Sequence, residues 1–121
     1  MRRLLLSACL VVLAAGSAAQ GQECDRSDDS QSMMTICAGA DYQAADAKLN
    51  AAYKDLVGRN DDNTNKLLQT AQRAWIAFRD ADCASLYDQD WGTISRVEAA
   101  SCRLDLTARR ADALEDFRQA Q

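Results

Sequence analysis

The stretch Gln72-Arg-Ala-Trp75-Ile-Ala-Phe-Arg79-Asp-Ala-Asp-Cys83, QRAWIAFRDADC, decides the fold. Glutamine, arginine, two acids and a cysteine lie together here, as in an active site or on the inward face of a helix. The spacing separates the two. Leu68, Gln72, Trp75, Arg79 and Cys83 recur at threes and fours, with Ala71 and Phe78 on their flanks. That is one line down a helix, so the polar side chains are expected to meet neighbouring helices and the cysteine to be a staple.

Outward from this stretch, the chain after its first twenty residues has no proline and no alternating run that reads as a strand. Its residues are mostly helix formers, interrupted by Gly39, Gly58 and Gly92. Helix 1 is expected to start after Ser30, an N-cap residue beside Asp28 and Asp29. Its stripe is Met34, Ala38, Tyr42, Ala45, Leu49, Tyr53 and Leu56, and Gly58 is expected to end it as a left-handed cap. RNDDNTN (59–65) is a turn in which any of Asp61 to Thr64 can cap helix 2, which runs to about Tyr87. Ser95 and Glu98 form an S-x-x-E capping box for helix 3, which reaches about Phe117. Helix 3 has two apolar stripes, one through Val97, Leu104 and Ala111 and one through Leu106, Ala113 and Phe117. Such a helix is buried twice, or buried once and offered to a partner, a second copy of the chain included. The fold class is therefore all-α, a small disulfide-stapled bundle of three main helices.

The N terminus, MRRLLLSACLVVLAAGSAAQ, has two arginines, a short apolar run and small residues. It reads as a signal peptide over residues 1–19 with cleavage after Ala19, leaving 20–121 as one domain. LSAC (6–9) has the form of a lipoprotein cleavage box, but only five residues precede it, too few for a hydrophobic region. No later segment is apolar enough to span a membrane. The expected location is the periplasm or the exterior. Without Arg2 and Arg3 the chain has 12 basic and 18 acidic residues, a net charge of −6. That balance disfavours nucleic acid and anionic membranes and favours a basic partner.

Cys24, Cys37, Cys83 and Cys102 remain after cleavage, an even number in an exported small domain, which implies two disulfides. Antiparallel successive helices place Cys37, Cys83 and about residue 101 at one level, where the Cys24 segment also enters. The layer admits a link from helix 1 to helix 3. Cys24 with Cys83 and Cys37 with Cys102 is the preferred pairing, and the other connectivities stay open. A second layer collects Asp46, Trp75 and Arg110, which predicts an ion pair between Asp46 and Arg110. With Asn50, Gln72 and Arg79 these residues make up an expected structural polar core.

The chain contains no histidine, no CxxC and no glycine-rich phosphate loop, so neither catalysis nor a cofactor nor a metal site is expected. Asp88 to Gly92, DQDWG, has the start of a calcium loop, but its glycine comes one position early and Ala99 stands where the closing glutamate belongs.

Three elements carry a family resemblance: Leu49-Asn50-x-x-Tyr53, Gln72-x-x-Trp75-x-x-x-Arg79-Asp80-x-x-Cys83, and Cys102-x-x-x-Leu106-Thr107-x-x-Arg110. With Cys24 and the segment SQSMMTICA (30–38), they resemble the LprI-like lysozyme inhibitors over about Cys24 to Leu114. The resemblance implies a helical, disulfide-linked exported domain and, for the best-known members, inhibition of lysozyme by binding. An acidic chain would be steered onto a basic lysozyme and would act by covering its cleft. YDQDWGT (87–93) offers the contact, with Asp88, Asp90, Trp91 and Gly92 as the expected partner-binding residues. The competing structural role for Trp91 is packing over the end of the bundle. The alternative function is an envelope adaptor that binds another protein through helix 3.

Overall fold

The computed structural model describes residues 21–120, so the expected signal peptide lies outside the described residues. Among the described residues there are three helices, α1 (Gln31–Arg59), α2 (Asp62–Ser85) and α3 (Thr93–Gln119), with one short 3₁₀ turn, Gln89–Trp91, between α2 and α3. There is no strand among the described residues.

Helix α1 begins at Ser30, whose side chain accepts from the Met33 N–H. Asp61 caps α2 in the same way, accepting from the Thr64 N–H at 2.9 Å. This hydrogen bond, with a second from the Thr64 hydroxyl, holds the Asp61 carboxyl below its ordinary pKa.

Two helix ends differ from the sequence expectation. Gly58 is not a left-handed cap: α1 continues to Arg59 and stops at Asn60, whose backbone is extended at φ −73° and ψ 155°. The Asn65 side-chain amide donates to the Val57 carbonyl at 3.0 Å across the turn. That serves one of the carbonyls a helix end leaves unpaired, so no left-handed residue is needed. Nor does Ser95 cap α3. The cap lies three residues earlier, at Gly92, and the helix starts at Thr93. Ser95 is fully buried, and its hydroxyl donates back to the Gly92 carbonyl at 2.9 Å.

Cross-helix contacts give the topology. Gln31 meets Thr93, Lys48 meets Asp112, and Asp55 meets Arg118. The partner rises steadily with residue number, so α1 and α3 run parallel and in register. Between α2 and α3, Gln72 meets Arg110, Arg79 meets Thr107, and Cys83 meets Cys102, which is an antiparallel pairing. Helix α3 packs along α1 through much the larger seam and on α2 through a thinner one. Of its two expected apolar stripes, the first is inward, with Val97 and Ala111 buried and Leu104 half-buried, whereas in the second only Leu106 is half-buried and Ala113 and Phe117 are exposed.

The core is small. Leu49, Ala52 and Leu56 of α1 meet Ala111 and Leu114 of α3, and Tyr53, Leu68 and Trp75 pack against this cluster. The stripe of α1 is rotated slightly from expectation at its start: Met33 is buried and Met34 exposed.

The disulfides correct the preferred pairing. Cys24 bonds to Cys37 with Cα atoms 4.7 Å apart, and Cys83 bonds to Cys102 at 5.5 Å. The reason is the path of the N-terminal segment. It bends at Asp25–Asp28, where the Asp28 N–H reaches the Asp25 carbonyl, and then lies back along α1. Arg26 pairs with Asp41 at 2.7 Å and the Asp25 N–H contacts the Met33 sulfur at 3.2 Å. Cys24 therefore meets α1 before it could reach α2. One bridge ties this strap to α1, and the other ties α2 to α3.

Candidate partner-binding surface

The turn between α2 and α3 is built by its own sequence. The Asp88 carboxylate accepts from the Asp90 N–H at 2.9 Å, and the Asp88 carbonyl accepts from the Trp91 N–H at 3.2 Å. The Gly92 N–H donates to the Gln89 carbonyl at 3.1 Å. Gly92 has φ 68° and ψ −145°, a backbone conformation that disfavours any side chain. The turn is thereby shaped so that α3 starts at once. Trp91 is 66% exposed at its tip. Most of the Trp91 indole therefore stands in solvent and does not pack over the end of the bundle.

The expected polar core divides. Gln72 and Arg79 are buried, and Trp75 is half-buried against the core. Arg110 donates through Nε to the Gln72 side-chain carbonyl at 3.0 Å, and burial lowers the Arg110 pKa. Arg79 lies over the Trp75 ring at 5.1 Å and the Tyr42 ring at 5.7 Å. Its guanidinium also pairs with Asp80 at 2.8 Å and approaches the Thr107 hydroxyl at 3.5 Å. Asp46 does not join this set. Its carboxylate accepts from Asn50 one helical turn away at 3.1 Å, in an exposed position, and the expected Asp46–Arg110 ion pair is absent among the described residues. The two lie at neighbouring levels but on different sides of their helices. Arg110 is turned towards α2, so a neutral amide takes the place expected for the carboxylate.

No group of histidine, cysteine, aspartate and glutamate among the described residues could hold a metal ion. No helix among them is long and apolar enough to cross a membrane.

The family model described as "Lysozyme inhibitor LprI" matches residues 23–114, from the strap cysteine to the last core leucine of α3. The chain belongs to the LprI lysozyme inhibitor family. An uncharacterized protein of Rhizobium meliloti (strain 1021) is 30% identical over 129 residues, covering 95% of this chain and 93% of that protein. No solved structure matches the chain. The four cysteines and Gln72, Trp75, Arg79 and Arg110, on which the helical frame is built, all fall inside the matched region.

Proposed function

We propose that this protein is an exported inhibitor that binds a lysozyme and covers its catalytic cleft, without catalysis of its own. Membership of the LprI family is the observation that carries the reading. Two disulfides support an oxidising, extracytoplasmic location. A chain cleaved after Ala19 has a net charge of −6, which steers association with a basic enzyme. The contact we assign is the turn Asp88–Gly92, with Trp91 as the anchor and Asp88 and Asp90 beside it.

The test is turbidity loss of cell-wall suspensions with chicken-type, invertebrate-type and goose-type lysozymes. Dose-dependent protection against at least one is expected. Protection against none would refute the function and leave the envelope-adaptor reading. Trp91→Ala should weaken inhibition by about 2 kcal/mol, roughly thirtyfold, with helicity unchanged because the side chain lies outside the core.

A further inference from the structure

One groove is unlike the rest of this acidic surface. It has a volume of about 340 Å³ and lies where the N-terminal halves of α1 and α3 pass the end of α2. Gly39 and Tyr42 form one wall, Arg96, Ala100 and Arg103 the other, and Tyr87 closes the end. Arg96 and Arg103 are seven residues apart on α3, so they share a face and stand about 10 Å apart along its axis. Although acids outnumber bases in the chain, neither arginine has an ion pair or a hydrogen bond among the described residues; Arg103 only lies over the Tyr42 ring at 5.8 Å. Arg26, Lys48, Arg59, Arg79, Arg109 and Arg118 all hold carboxylates, and the other bases that hold none among the described residues, Lys54, Lys66, Arg73 and Arg110, do not line this groove.

We propose that this groove is a carboxylate-binding site, through which the chain takes acidic side chains of its partner. A guanidinium binds a carboxylate by two parallel N–H donors, and here two such forks line one opening without an internal acid to occupy them. The tyrosine rings and Ala100 suit the methylene stem that carries an aspartate or glutamate carboxyl, which inorganic phosphate lacks. At about 340 Å³ the groove holds a side chain or two, not a fold. Tyr87 and Arg96 also line the recess beside Gly92, so the groove is continuous with the Trp91 turn. That the partner is a lysozyme, whose cleft works through a pair of carboxylates, rests on the function proposed above; the carboxylate chemistry does not. Net acidity and a basic groove then have separate tasks, the first in attracting a basic enzyme and the second in meeting its acidic cleft.

Two arms test this on the oxidised protein. In the first, glutarate is titrated against the protein at constant ionic strength, with backbone amide NMR shifts of residues 39–42 and 96–103 as the readout. Saturable shifts are expected in the unmodified chain. They should be lost in Arg96→Gln/Arg103→Gln and in Gly39→Met. The glycine variant keeps the fold, because a Cβ at Gly39 meets nothing within 4 Å, and its side chain fills the groove. Absence of saturable shifts, or shifts that survive in both variants, would overturn the proposal. In the second arm, both variants should lose at least tenfold in lysozyme inhibition with their thermal stability retained. Undiminished inhibition would overturn the groove's role and leave the lysozyme reading intact. Glutarate binding by a chain that inhibits no lysozyme would support the carboxylate site and refute that reading.

Discussion

Removal of the Cys83–Cys102 bridge should cost far more than removal of Cys24–Cys37, although the two close loops of similar size. In the chain-entropy account, the bridge with a sequence separation of 19 contributes about 3.2 kcal/mol and the bridge with a separation of 13 about 2.9 kcal/mol. Their positions differ more than their loop lengths. Cys83 is 1% exposed at the thin α2–α3 seam, whereas Cys24–Cys37 fastens a strap whose residues are mostly exposed. Cys83→Ala/Cys102→Ala should therefore lose about 3 kcal/mol of global stability, a fall of roughly 12–25 °C in midpoint for a domain near 100 residues. Cys24→Ala/Cys37→Ala should lose less than half as much, because opening of the strap leaves the helices packed. Urea unfolding followed by far-UV circular dichroism measures both. Equal losses would refute the assignment of the two bridges to a seam and a strap. Peptide mapping gives an independent check. Trypsin should leave the Asp80–Arg96 fragment linked to Val97–Arg103, and a link between the Cys24 fragment and Asp80–Arg96 would contradict the pairing.

Leu56→Ala removes a fully buried side chain from the α1–α3 seam and should cost about 3 kcal/mol in urea unfolding. A double-mutant cycle on Gln72 and Arg110 should give a coupling near 1 kcal/mol, and one on Asp46 and Arg110 a coupling near zero. Stability should also fall in acid. Asp61 is held below its ordinary pKa by Thr64, and Asp41 by Arg26, so their contribution is present above the unfolded carboxylate pKa and lost as pH drops through the folded one. A pH series of thermal midpoints should decline below about pH 4, and Asp61→Asn should flatten that decline.

Much of the frame could be read from periodicity and caps. Ser30 and Asp61 start helices because a short polar side chain before an apolar stripe has few other uses there. Counting along antiparallel helices also placed Cys37, Cys83 and Cys102 at one level. The pairing was not legible, because level fixes height along an axis and not direction around it. Asp46 and Arg110 fail for the same reason: they share a height but face different neighbours. Ser95 shows a different limit. Its hydroxyl prefers the carbonyl of Gly92, once a glycine with positive φ has opened the helix three residues earlier. The arginine groove has a trace in the sequence, two bases one heptad apart without acids at helical spacing to balance them. Only the packing of α1 against α3 adds the facing glycine and tyrosine.

The parallel run of α1 and α3 sets where a tether can be placed. The strap and the groove lie at the end where both helices begin, and α3 leaves the molecule at the opposite end, about 40 Å away for 27 residues. A fusion or immobilising tag joined after α3 leaves the groove and the Trp91 tip open to a macromolecule. The same tag joined ahead of Cys24 crowds them, so the choice of attachment end alone should change the apparent affinity of an otherwise identical chain.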